Sequence, residues 1–296
     1  MQHDLFPTNQ SRWDRALQAL EELDVEGARR SLGAGDEPRE DRPELQAMHA
    51  ALEFLARAGL GPQSGAQVLS SALWSLPARS RSGELSHAAT SKALEALARR
   101  ITSLASRQPP GSRLFEPALL ARAHLLLQQE RKAAETLRTC ATVKDTSAPE
   151  QFVWADLWSW QGHEDARVAY GRGLTLDPSA FEPLWTRAER LRALHEELAR
   201  ERGDDEARER LLAEAWWRGI VDLPAQDDEW AERCRRALAP ASDSTLTPAR
   251  RFSLLLAADV AGRSISIEAR EELHALDPEL FRRVIERLKR RSSTKP

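Results

Sequence analysis

The sequence is poor in the residues on which β-sheets, disulfide frameworks and thiolate metal sites depend. Its 296 residues include two cysteines, Cys140 and Cys234, one tyrosine, and 13 valines and isoleucines taken together. Two cysteines so far apart exclude a disulfide-stapled fold and a multi-cysteine zinc site. The scarcity of β-branched residues argues against a sheet protein, because those side chains cover the faces of strands.

Two further absences in the sequence concern the cellular compartment of the protein and its insertion into membranes. No stretch approaches the roughly 20 apolar residues of a membrane helix, and residues 1–4 lack the basic region and apolar run that begin a secretory signal. We therefore expect a cytoplasmic protein without membrane insertion. The net charge of −3 gives no whole-protein attraction to nucleic acid or anionic lipid.

The abundant residues predict helices. Leu, Ala, Arg, Glu and Gln dominate, and they lose little conformational entropy in a helix. Leu45, Met48, Leu52 and Leu55 recur at spacings of three and four, which places them on one helix face. Prolines interrupt these patterns often enough to predict an all-α fold of roughly 13–15 helices. We divide the chain into an irregular N-terminal region (1–108), a region of hairpins with long charged helices (109–223) and a C-terminal region (224–296).

A repeated pattern of small and large residues suggests how the helices are arranged. Trp154-Ala155-x-x-Trp158 is followed by Ala166-x-x-x-Tyr170 and then by Asp177-Pro178. This pattern resembles the tetratricopeptide repeat, in which small residues lie where two helices of a hairpin cross. The resemblance is best over 114–178. Four alanine pairs mark the expected hairpins: Ala16 with Ala28, Ala121 with Ala133, Ala155 with Ala166, and Ala257 with Ala269.

The resemblance implies antiparallel hairpins stacked as a right-handed solenoid, whose concave groove binds a peptide or helix of another protein. An irregular α-helical domain with an occasional hairpin is the alternative. By offset from the small residues, the groove would be lined by Arg122, Leu126, Phe152, Asp156, Trp160, Trp185, Glu189 and Arg192. Trp160 and Trp185 could instead be buried between hairpins. The single Asn and five Lys do not provide the Asn and Lys pairs with which some members of the family clamp a terminal carboxylate.

The sequence contains few of the motifs that are typical of enzymes. His163-Glu164 and His195-Glu196 lack the second histidine of a helical zinc-protease motif. Gly59-Leu60-Gly61 follows a predicted helix rather than a strand, so we expect a helix end and not a dinucleotide site. No base can be assigned to either cysteine. These observations predict a protein without catalytic, cofactor or metal sites.

We therefore expect a non-enzymatic adaptor or scaffold that binds a partner protein, within a multiprotein complex of secretion, assembly or defence type. One alternative is a nucleic-acid-associated protein that uses its basic C-terminal helix. The cations of that helix are Arg282, Arg283, Arg287, Lys289, Arg290 and Arg291. A second alternative is a regulatory domain that senses a small ligand in a helical pocket.

Overall fold

The computed structural model describes residues 9–33, 43–109, 114–138, 146–239, 246–262 and 266–293. Within these ranges it contains 15 α-helices and no strand, which confirms the all-α prediction. None of the helices it describes is both long enough and apolar enough to cross a bilayer. Two residues named above, Cys140 and the side chain of Arg291, lie outside the described part.

The chain divides into two compact units, Met1–Thr139 and Cys140–Pro296. The sequence-based boundaries at 108/109 and 223/224 fall inside these units. In the first unit the helices on either side of residue 108 contact each other, and in the second the helix before residue 223 contacts a helix that follows it.

The first unit is organised around one long helix. Its helices are α1 (Asn9–Glu21), α2 (Val25–Gly33), α3 (Pro43–Arg57), α4 (Ala66–Arg81), α5 (His87–Ser106), α6 (Pro117–Leu126) and α7 (Glu130–Leu137). Helix α5 contacts α1, α3, α4 and α6. It begins at an N-cap, Ser86, whose hydroxyl accepts a hydrogen bond from the Ala89 amide at 3.2 Å.

The second unit surrounds a central helix. Its helices are α8 (Ala148–Trp160), α9 (Asp165–Leu176), α10 (Glu189–Arg202), α11 (Asp204–Trp217), α12 (Asp228–Leu238), α13 (Pro248–Ala261), α14 (Ile267–Leu276) and α15 (Pro278–Ser293). Helix α11 packs against α9, α10, α13 and α15. Trp216 near its end is fully buried, in agreement with the expectation that at least one of Trp216 and Trp217 faces inward.

Each alanine pair identified in the sequence lies on two helices that pack together. The pairs α1 with α2, α6 with α7, α8 with α9, and α13 with α14 are all in contact. Seven of the eight alanines are buried, and Ala269 is half-buried. A methyl group at these positions lets the helix backbones approach closely, which a larger side chain would prevent.

Arginine side chains join helices that are distant in sequence. Arg250 of α13 donates hydrogen bonds to the carbonyl oxygens of Leu174 at 3.0 Å and Leu176 at 3.1 Å. These carbonyls belong to the last turn of α9, where the helix leaves its acceptors without partners. The cation thus caps α9 and lies at the negative end of its dipole. Burial lowers the pKa of Arg250, with the carboxylate of Asp177 opposing that shift.

Gly171 permits a close approach of two backbone segments in the second unit. A Cβ at this position would lie 2.1 Å from the carbonyl oxygen of Asp222. The same segment is held by the amide of Asp222, which donates to the carbonyl of Arg167 at 3.1 Å. Helix α9 and the chain after α11 can therefore meet only because residue 171 has no side chain.

We expect Gly171→Ala to lower the free energy of unfolding by about 2 kcal/mol or more, because a methyl group in contact with a backbone oxygen forces the two segments apart. Chemical denaturation measures this loss. The matched control is Gly33→Ala on α2, where a Cβ would meet no atom of the described residues within 4 Å. That change should be neutral or stabilising by up to about 1 kcal/mol, and equal losses in the two variants would refute the explanation.

Asp259 on α13 is a buried carboxylate, and its side-chain oxygen Oδ2 has no hydrogen-bond partner among the residues that the structure describes. Burial raises its pKa to about 6, although Arg235 and Arg270 nearby act in the opposite direction. The pKa in the folded chain is thus above the ordinary value of 3.8. Ionising Asp259 therefore costs stability, which is lost as the pH rises from about 4 through about 6.

Asp259→Asn should raise the free energy of unfolding at pH 7 by about 1–2 kcal/mol, with the partial access of water taken into account. The gain over the native chain should disappear at pH 4, where the native carboxyl is protonated in the folded state. Denaturation curves between pH 4 and 7 test this. Glu201→Gln, at an exposed position of α10, serves as the control with no such pH dependence, and a gain that is constant with pH would contradict the assignment.

Candidate functional site

Asp156 is a buried carboxylate at the centre of the α8–α9 hairpin. It is 2% exposed and lies on α8, one turn before the helix ends at Trp160. Its Oδ1 accepts hydrogen bonds from the Tyr170 hydroxyl of α9 and from the backbone amide of Arg187 at 2.9 Å. The Thr186 hydroxyl lies 3.5 Å from the same oxygen. A buried charge is tolerated only when such donors surround it, so Asp156 fixes the segment that contains Thr186 and Arg187.

The segment that contains Thr186 and Arg187 is not helical, and Arg208 anchors its beginning. After α9, a short 3-10 helix (Pro178–Ala180) begins at Asp177, whose carboxylate accepts from the Ser179 amide at 2.9 Å. Residues 181–188 then connect to α10. Arg208 of α11 donates to the carbonyl oxygens of Phe181 and, at 3.1 Å, of Ser179. The connection is therefore anchored to α11 at its start and to α8 near its end.

The anchored segment places a cation over an exposed indole. The guanidinium carbon of Arg187 lies 4.3 Å from the centroid of the Trp160 ring. Trp160 is 39% exposed, more than any other phenyl, phenol or indole side chain whose burial the structure describes. Arg187 is exposed as well. A cation–π pair of this kind contributes about 0.5–1 kcal/mol when solvated and more when a partner excludes water.

The predicted groove residues are divided between the two units and between core and surface. Arg122 and Leu126 belong to α6 of the first unit, where Arg122 is buried and Leu126 is half-buried. Four others lie on the second unit in a mixture of environments: Phe152 and Trp185 are buried, Glu189 is exposed and Arg192 is half-buried.

Phe152 and Trp185 contribute to packing. The Phe152 ring meets the Phe181 ring edge to face at 5.7 Å, and it fills the space next to Gly173, where a Cβ would lie 2.7 Å from its ring. Trp185, 7% exposed, precedes α10 rather than lying on a helix. The structure thus brings together Asp156 and Trp160 and joins them to Arg187.

Arg187 was missed from the sequence because the groove positions were assigned by helical spacing, which assumed that residues 185–193 formed one helix. Ala188 is instead the N-cap residue of α10. Pro178, just before the connection, and Pro183, within it, were the available signal that the chain leaves helical geometry here.

The basic C-terminal helix offers fewer available charges than its sequence suggests. Arg283 forms ion pairs with Glu279 and, at 3.8 Å, with Glu214, and Arg287 pairs with Asp222 at 3.0 Å. The Arg287 guanidinium also lies 4.5 Å from the centre of the Trp216 ring. Both cations therefore serve to dock α15 against the rest of the unit.

The structure also shows the surroundings of His163, His195 and Cys234, which were considered above as possible ligands or nucleophiles. His163 is exposed in the turn after α8, and His195 is buried against the Phe181 ring at 5.6 Å. Burial raises the pKa of the Cys234 thiol to about 12, which keeps it protonated at neutral pH. Among the described residues, no group of three or more His, Cys, Asp or Glu side chains is arranged to hold a metal ion.

Comparison with known proteins does not place the chain in a family. No protein-family model matches it, and neither a curated protein nor a solved structure is detectably similar to it.

Asp156→Ala should lower the free energy of unfolding by about 3 kcal/mol or more, because it leaves the buried Tyr170 hydroxyl and Arg187 amide without their acceptor. Hydrogen exchange of the peptide that covers 182–188 should accelerate, since its anchor is gone. Asp165→Ala, at an exposed position of α9, should cost less than about 1 kcal/mol. Unchanged exchange in the Asp156 variant would show that Asp156 does not hold the segment.

Proposed function

We propose that this protein is a non-enzymatic helical adaptor, and that a partner protein binds the surface formed by Trp160 and Arg187 on its second unit. In this proposal the helix pairs of each unit stack in the manner of tetratricopeptide repeats. The partner supplies an apolar or acidic segment that covers the indole and contacts the guanidinium.

The observation that carries the proposal is an exposed Trp–Arg pair on a rigid support. Tryptophan and arginine are the residues most enriched at the energetic centres of protein interfaces. The other phenyl, phenol and indole rings whose burial the structure describes are buried or half-buried. The buried Asp156 and Arg208 hold the supporting segment in place, so a partner would not have to order it on binding.

The nucleic-acid alternative from the sequence is less well supported. Nucleic-acid binding by α15 would have to use the cations that remain after Arg283 and Arg287 have paired with Glu214, Glu279 and Asp222. Such binding depends on many unneutralised cations.

The proposal is tested by affinity capture with the purified full-length chain, followed by identification of the bound proteins by mass spectrometry. We expect Trp160→Ala and Arg187→Ala each to weaken the retained complex, the first by about 30-fold, which corresponds to about 2 kcal/mol. Arg122 is unsuitable as a test position because it is buried and its loss would perturb the fold.

Two matched controls remove similar side chains elsewhere on the second unit. Ile267→Ala deletes an apolar side chain that is 70% exposed, and Arg190→Ala deletes an exposed cation of α10. Both controls should retain the partner at the native level. Retention of the same partner by all four variants, or absence of any specifically retained protein, would contradict the proposal.

A further inference from the structure

A cavity on the second unit, separate from the Trp160 surface, is lined mainly by arginines and one indole. Its volume is about 570 Å³, within the range of small-molecule sites. It lies between α9 and α12. The residues around it are Arg172, Asp227, Glu229, Trp230, Arg233, Arg236 and Ala237.

The indole and two cations form the wall of this cavity. Trp230 is 4% exposed, so its ring is fixed by the core. The guanidinium carbons of Arg172 and Arg233 each lie 5.5 Å from the centroid of that ring. Guanidinium groups packed against an aromatic ring lose less entropy when they bind an anion, because their positions are already restricted.

The acidic residues do not cancel the positive charge of the lining. Asp227 accepts the Trp230 amide on Oδ1 at 3.1 Å, as the N-cap of α12, and pairs through Oδ2 with Arg172 at 3.3 Å. Both oxygens of the Asp227 carboxylate are therefore engaged. The carboxylate orients Arg172. Glu229 is exposed on the first turn of α12, whereas Arg233 and Arg236 follow one and two turns later. Arg172 and Asp227 thus form one ion pair, and Arg233 and Arg236 against Glu229 leave the lining with a net charge of +1.

We propose that this cavity binds a small molecule through an oxyanion, either a phosphate or a carboxylate, held by Arg172, Arg233 and Arg236. Guanidinium groups pair with both kinds of oxyanion through two parallel hydrogen bonds. Only the small part of the Trp230 indole that reaches the cavity is available to the rest of the ligand. This site is independent of the proposed adaptor function, and neither depends on the other.

The experiment measures binding of two probes, inorganic pyrophosphate and citrate, to the full-length chain by isothermal titration calorimetry at constant ionic strength. The two probes distinguish a phosphate site from a carboxylate site. Removal of two lining cations in Arg233→Met/Arg236→Met should weaken binding of the preferred probe by at least about 30-fold, since each charged hydrogen bond contributes roughly a factor of 10.

The matched control is Arg235→Met/Arg282→Met, which removes the same charge from exposed positions that do not line the cavity. It should bind the probe like the native chain. Circular dichroism verifies the fold of each variant, and Arg236→Met alone, at an exposed position, replaces the double variant if the latter is unfolded. The proposal is overturned if neither probe binds, or if the lining variant and the control are weakened equally.

Discussion

One buried carboxylate determines how the second unit presents its surface. Asp156 is almost completely enclosed, and an enclosed carboxylate is destabilising unless donors compensate for the water that it has lost. The donors come from a tyrosine of the paired helix and from the backbone of a non-helical connection. An arrangement that withdraws these donors removes part of that compensation. The hydrogen bond from the Arg187 amide to Asp156 therefore restrains the connection after α9, in which the side chain of Arg187 lies above Trp160.

Arginine has a similar role throughout this unit. Helices built from alanine and leucine pack well, but their ends leave carbonyl groups that need donors. Arg250 supplies them to the end of α9, and Arg208 supplies them to the turn that follows. Each guanidinium carries several donors in a fixed plane, so one side chain of α11 or α13 satisfies carbonyls on a different part of the chain. Much of the basic content of the sequence is thus used internally, which is consistent with a charged fraction of 30% and a net charge of only −3.

The sequence was sufficient to predict the helices and several of their pairings. Leucine periodicity, prolines and alanine spacing are local signals, and the hairpin at Ala155 and Ala166 follows from them directly. The surface that we propose for partner binding was harder to predict. Sequence offsets along α8 placed Asp156 and Trp160 on one helix face. They could not show that Asp156 is buried and Trp160 is exposed, because burial depends on which segments pack against the helix. Arg187 and the cavity at Trp230 depend on contacts between segments far apart in sequence, and helical periodicity carries no information about those contacts.

The central claim is that the surface at Trp160, positioned by Asp156, receives a specific partner protein. The most direct measurement introduces a photo-crosslinking amino acid at Gln161, the exposed residue next to Trp160, and at Ile267 as a distant exposed position. Both chains are irradiated in cells that express them. The account predicts a discrete adduct with one protein at position 161, none with that protein at position 267, and loss of the adduct when Trp160→Ala is added. No adduct at position 161, or the same adduct at both positions, would contradict it.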